Sequence, residues 1–130
     1  MIKQARLFFS LFWVLAVVTS TAGGIAPARD ESNFPKGTYT AGEFTIFFGD
    51  KGEFRVTQGE EMQVEGDYTV DKDLLTLIDK RGPLACTGAG MDKGTYRWKY
   101  EAEVLTFTKV NDECSGRSAA LPAEPWKRKK

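Results

Sequence analysis

Two cysteines, Cys86 and Cys114, are the natural nucleophiles of a 130-residue chain that contains no histidine. Without histidine, Ser-His-Asp and Cys-His catalysis, His-ligated haem and the usual zinc sites are all out of reach. The cysteines also lack the C-x-x-C spacing of a redox pair, so a single structural disulfide is the expectation. In the chain-entropy model a link across that loop stabilises the fold by roughly 3.6 kcal/mol. Neither Asp71-Lys72-Asp73 nor Asp112-Glu113 has the loop length or ligand count of a calcium site, and both read as polar turns. No Walker loop or G-x-G-x-x-G fingerprint occurs, and the 18 acidic residues carry no signature that would single out a glycosidase pair. The chain therefore reads as non-enzymatic, with no catalytic residue, no metal and no cofactor.

The amino terminus has the make-up of an export signal. Lys3 and Arg6 precede an apolar run from Leu7 to Val18, and Ser20-Thr21-Ala22 supplies small residues for cleavage. That run falls short of the ~20 apolar residues a bilayer core requires, so residues 1–22 read as a cleaved signal and not as an anchor. The expected address is periplasmic or extracellular, with no stable membrane insertion after cleavage. Such compartments are oxidising, as a disulfide requires. Removal of the signal takes away two of the 18 basic residues and none of the acidic ones, leaving a small negative net charge. Nothing in that balance favours nucleic acid.

Three Gly-x-Tyr steps punctuate the remainder: Gly37-Thr38-Tyr39, Gly66-Asp67-Tyr68 and Gly94-Thr95-Tyr96. The second and third open longer units, each running strand, polar turn, strand, and ending at a cysteine. Residues 23–36 hold two prolines, mixed charge and no periodicity, the profile of a flexible leader. From Gly37 onward the period is two. Phe44, Ile46 and Phe48 share a face; Phe54 and Val56 follow a Gly-Asp-Lys-Gly turn; Gly94, Tyr96, Trp98 and Tyr100 alternate with Thr95, Arg97 and Lys99. Strands are expected at 37–41, 43–49, 53–58, 62–70, 74–79, 94–100 and 103–110, with a last one within 117–127. Ser115 to Leu121 can form a short helix or turn, bounded by Pro122 and Pro125. The resulting fold class is all-β: one up-and-down antiparallel meander barrel of about eight short strands.

The N-terminal Gly-x-Tyr, the repeated G-x-Y-x-[VW]…L-T-[LF] hairpins, Ala85-Cys86 after Gly82-Pro83, and Asp112-x-Cys-x-x-Arg117 together resemble the small secreted lipocalin-like barrels of bacteria, within the calycin class. The resemblance covers about residues 36 to 127, so 37–127 is assigned to the barrel and 128–130 to a basic tail. Lipocalins place an arginine near the last strand across the aromatic ring of a Gly-x-Trp on strand one, closing one barrel end. By that analogy Tyr39, a departure from Trp, supplies the ring, Arg117 the cation and Asp112 its carboxylate.

The inward aromatic face nominates Tyr39, Phe48, Phe54, Tyr68, Tyr96, Trp98 and Phe107, with Phe44, either as the lining of a small apolar pocket or as plain core. Asp112 and Arg117 either clamp a ligand or fix the terminal crossover by an ion pair. The tail Trp126-Lys127-Arg128-Lys129-Lys130 either frays or touches anionic lipid or envelope polymer. Two partners fit this picture: a small apolar ligand, or an envelope protein bound by an inhibitor-like module.

Overall fold

Inward residues at every second position are what close the sheet on itself. In the computed structural model, which describes residues 33–130, eight antiparallel strands pair in sequence order and the last returns to the first. They are β1 (Gly37–Ala41), β2 (Phe44–Phe48), β3 (Glu53–Gln58), β4 (Glu61–Asp71), β5 (Leu74–Arg81), β6 (Lys93–Glu101), β7 (Val104–Asp112) and β8 (Trp126–Arg128). A six-residue helix, α1 (Ser115–Ala120), intervenes before β8. Its C-cap Leu121 still has helical angles, φ −64° and ψ −45°, and Pro122, which has no N–H to donate, follows. The expected signal, 1–22, and most of the leader lie outside the described residues.

The alternation read from the sequence sets the interior. Ile46, Phe48, Phe54, Leu75, Leu77, Tyr96, Leu105 and Phe107 are buried, while Arg97 and Lys99 face outward. Trp98 shares the face of Tyr96 but is only half-buried, because its position lies at the barrel end. There its indole Nε1 donates to the Lys72 carbonyl at 3.0 Å.

Three irregularities in register reset the alternation. On β7, Thr95 pairs with Asn111 and Tyr96 with Lys109, so Val110 is left over as a bulge. One extra residue flips the parity of the positions beyond it. Val110 stays outward, and Asp112, which an unbroken strand would present to solvent on the same face, turns into the barrel. Between β4 and β5 the register likewise skips Lys80, and between β3 and β4 it skips Gln63.

In an up-and-down barrel the connections collect alternately at two ends. At one end lie the β2–β3, β4–β5 and β6–β7 turns, and this end is sealed from outside the barrel. Phe34, within the segment expected to be a flexible leader, is 3% exposed and sits against Phe48, Tyr68 and Trp98, with ring centroids 5.0, 5.6 and 5.2 Å away. Asn33 to Lys36 therefore belongs to the folded body.

Beside it, Arg128 closes the seam. Its guanidinium lies 5.1 Å from the Tyr39 ring centre and 5.5 Å from that of Tyr100. Nη2 donates to the Tyr39 hydroxyl at 2.8 Å, Nε to the Tyr100 hydroxyl at 3.0 Å, and Nη1 to the Lys36 carbonyl at 3.2 Å. The Tyr39 hydroxyl in turn donates to the Pro35 carbonyl at 2.5 Å.

This corrects two expectations. The closing cation over Tyr39 is Arg128 and not Arg117, because β8 pairs Arg128 directly with Tyr39 while Arg117 is held at the opposite end. The tail is also shorter than the boundary at 128 implied. Trp126 is buried, and Arg128 is the last residue of β8. No helix among the described residues is long and apolar enough to cross a membrane.

Candidate ligand-binding site

The second end gathers the β1–β2 and β3–β4 turns, the β5–β6 loop and α1, and it is open. A cavity of about 450 Å³ lies there. Its walls are apolar side chains from many elements: Phe44 and Ile46 of β2, Phe54 and Val56 of β3, Val64 of β4, Leu77 of β5, Leu84 of the following loop, and Leu121 and Trp126 flanking the 122–125 crossover. Ala120 from α1 and Ala41 from β1 supply small surfaces that leave the space open.

Of the aromatic residues nominated from sequence, Phe54 lines this cavity, as does Phe44. Tyr39, Phe48, Tyr68, Tyr96, Trp98 and Phe107 do not. They pack against one another and Phe34 in edge-on and tilted contacts, with ring centroids 5.0 to 6.5 Å apart, filling the closed half. Such geometries suit rings whose faces are negative and edges positive. Packed aromatic rings fill one half of the barrel, while the other half, walled by Phe44, Phe54, Trp126 and aliphatic side chains, stays hollow.

A disulfide and an ion cluster hold the open end in shape. Cys86, in the β5–β6 loop, is bonded to Cys114, the residue capping α1, with Cα atoms 6.0 Å apart. Asp79 lies within reach of both sulfurs, but a disulfide offers no thiolate for a metal. From α1, Arg117 reaches into the wall with its side chain only 9% exposed. Nε donates to Asp112 Oδ2 at 2.6 Å and Nη2 to Asp112 Oδ1 at 2.7 Å, a bidentate pair. Nη1 meets Asp79 Oδ2 at 2.9 Å, and the Asp92 and Met91 carbonyls take the remaining donors. Asp112 also accepts from the Tyr96 hydroxyl and, at 2.9 Å, from the Cys114 amide.

The titration of these groups reflects the contacts. Burial pushes the Asp112 carboxyl up, but hydrogen bonds from Arg117, Tyr96 and the Cys114 amide outweigh it and leave the group below its ordinary value. Burial and the adjacent Asp112 both raise the Tyr96 phenol. Burial alone would weaken the Arg117 cation, yet Asp112 and Asp79 overcome it and strengthen the charge.

The Gly-x-Tyr repeat has its explanation here. A Cβ on Gly94 would come within 2.4 Å of Asp112 Oδ2 and 2.8 Å of Arg117 Nε, so only glycine lets the cluster press against β6. A Cβ on Gly66 would meet the Ile78 carbonyl oxygen at 1.9 Å. The tyrosine of each step then donates its hydroxyl to an acceptor on another segment: Pro35 O, Gly49 O and Asp112 respectively.

Sequence reasoning paired Asp112 with Arg117 and joined Cys86 to Cys114, and both pairs are present. It missed Asp79, Leu84, Leu121 and Trp126. Trp126 and Leu121 were visible as large apolar residues in an otherwise polar C-terminal stretch. Asp79 had a signal too: by the period of β5 it falls on the same face as Leu75 and Leu77.

No protein-family model matches the chain, and neither the curated proteins nor the solved structures give a match.

Proposed function

We propose that this chain is an exported, non-enzymatic, lipocalin-like binding barrel that holds a small, largely apolar molecule in its open mouth. The observation that carries this reading is the 450 Å³ apolar cavity beneath α1, within the range of small-molecule sites, set against a closed half packed with aromatic rings. A barrel built only to be stable gains nothing from leaving that volume empty, since voids forfeit packing contacts. The lipocalin-like kinship is supported by the up-and-down closure and by an arginine from the last strand over the first-strand aromatic. Export is supported by the n-region, apolar run and small-residue step of residues 1–22, and by the disulfide. The non-enzymatic reading rests on the lack of histidine and on the engagement of Arg117, the cation of the cavity wall, with Asp112 and Asp79.

Native mass spectrometry of the protein isolated from its own envelope fraction tests this, together with the fluorescence of Trp126 titrated against a panel of lipophiles. A retained small molecule, or saturable quenching lost in Leu77→Trp, is expected. No bound species and no saturable ligand would overturn the reading. Recovery of a stoichiometric envelope protein instead would establish the inhibitor-like alternative.

A further inference from the structure

The cavity is apolar in its walls and acidic in its charge. Among the described residues, Arg117 is the one basic residue lining it, and that guanidinium is already engaged with Asp112, Asp79 and two carbonyls. Asp79 stands in the wall, Asp112 backs Arg117, and Glu43 and Glu124, both exposed, line the entrance. Within the buried cluster two carboxylates share one guanidinium, so one negative charge is left over.

Asp79 is where that excess is chemically unsatisfied. The residue is 5% exposed. Its Oδ2 forms an ion pair with Arg117 Nη1 at 2.9 Å and accepts from the Cys86 amide at 2.9 Å. Its Oδ1 is buried with no hydrogen-bond partner among the described residues. Buried carboxylate oxygens are ordinarily paired, because an unmet acceptor forfeits its hydration without return. Asp79 lines the cavity although Oδ1 itself is covered, so a ligand whose donor head turns this carboxylate toward the cavity supplies the missing bond and the missing positive charge together.

We propose that the molecule held in the mouth is an apolar amine: a hydrocarbon body against Phe44, Val56, Val64 and Trp126, and a protonated amino head on the Asp79 carboxylate. Glu43 and Glu124 favour such a cation at the entrance and repel fatty carboxylates of the same length. This rests on the reading of the mouth as a ligand site and adds the head-group chemistry to it.

Calorimetric titration of the purified protein with decylamine, decanol and decanoate, each below its self-association concentration at neutral pH, separates the two ideas. The amine is expected to bind at least tenfold tighter than the alcohol, with decanoate weakest. Asp79→Asn should bring the amine down to the affinity of the alcohol. Because that substitution also disturbs Arg117, Glu43→Gln/Glu124→Gln serves as the second variant; both side chains are exposed, and their loss should narrow the ratio of amine to alcohol affinity at least threefold. Decanol or decanoate binding as tightly as the amine overturns the amine assignment and leaves the apolar site standing. An unchanged ratio in the rim variant overturns the charge argument even if Asp79→Asn does not fold. Binding of none of the three overturns the amine proposal together with the ligand site on which it rests.

Discussion

Arg117 and Asp112, five residues apart in sequence, meet as a buried bidentate pair only because a single-residue bulge at Val110 turns Asp112 inward. The helix supplies the cation, the end of β7 supplies the carboxylate, and the disulfide at Cys114 holds the chain between them. Fixing the terminal crossover and shaping the cavity wall are thus one arrangement.

Removing one member of that arrangement should be far worse than its surface counterparts suggest. Arg117→Ala leaves Asp79 and Asp112 facing each other without a counter-charge, for which a loss of about 3–5 kcal/mol is expected. Arg117→Lys keeps the charge but cannot hold two oxygens of Asp112 in a fork, so its loss should be intermediate. Arg97→Ala, which breaks an exposed pair with Asp73 at 2.7 Å, should stay within about 1 kcal/mol. Urea unfolding of the three variants checks the order, and an Arg117→Ala loss no larger than that of Arg97→Ala would refute it.

The strand plan was legible because period-two alternation survives wherever one face is solvated, as at Tyr96, Arg97, Trp98 and Lys99. The closing arginine was not. Arg128 looks like one charge in a basic run, and only the β1–β8 register, a contact between the two ends of the chain, gives it a ring to cover. The inward turn of Asp112 was equally hidden, since a bulge leaves no mark on composition. Asp112 and Arg117 were paired by their nearness to Cys114, a local signal, whereas the third member, Asp79, comes from a strand well separated in sequence. The cavity depended on volumes at many positions at once. Phe54 faces the same interior as Phe48, and which of the two lines the cavity is decided by which end of the barrel the leader plugs.

Phe34 is that plug, and it should behave as core although it lies before the first strand. Phe34→Ala removes a ring packed against three others, and a loss of about 3–5 kcal/mol is expected. Emission from Trp98 should shift to longer wavelength as water reaches its indole. Full stability in a variant starting at Lys36 would show that the barrel closes without it.

The β6–β7 hairpin can be improved. Its two central residues, Ala102 and Glu103, have φ of 50° and 65°, a left-handed backbone that costs a side chain about 1–2 kcal/mol per residue. Asn-Gly suits such a turn, although glycine also adds freedom to the unfolded chain and takes back about 0.5–1 kcal/mol. The exposed Lys130–Glu103 contact at 3.9 Å contributes too little to matter. Ala102→Asn/Glu103→Gly should therefore gain about 1 kcal/mol in thermal or urea unfolding, and a loss would show that the native side chains hold the turn.

The pH dependence should have a limb on each side. Burial of Asp112 alone would raise its carboxyl, but Arg117, Tyr96 and the Cys114 amide depress it, so the folded state binds its proton less readily than the unfolded chain. Its contribution is present above the ordinary value of 3.8 and is lost as pH falls through the lower folded value. At the alkaline side, burial pushes the Tyr39 and Tyr68 phenols from 10.0 up to about 12. A raised value gives stability that is complete below pH 10 and drains away between 10 and about 12, because the unfolded tyrosines ionise first. Each tyrosine adds a slope of up to about 1.4 kcal/mol per pH unit there. Unfolding free energies measured across both ranges, with phenolate absorbance followed in parallel, check the two limbs. Tyr68→Phe should shallow the alkaline limb and leave the acid one unchanged, while Asp112→Asn should shallow the acid limb. An alkaline slope identical in Tyr68→Phe and the native protein would mean that the Tyr68 phenol ionises as freely folded as unfolded.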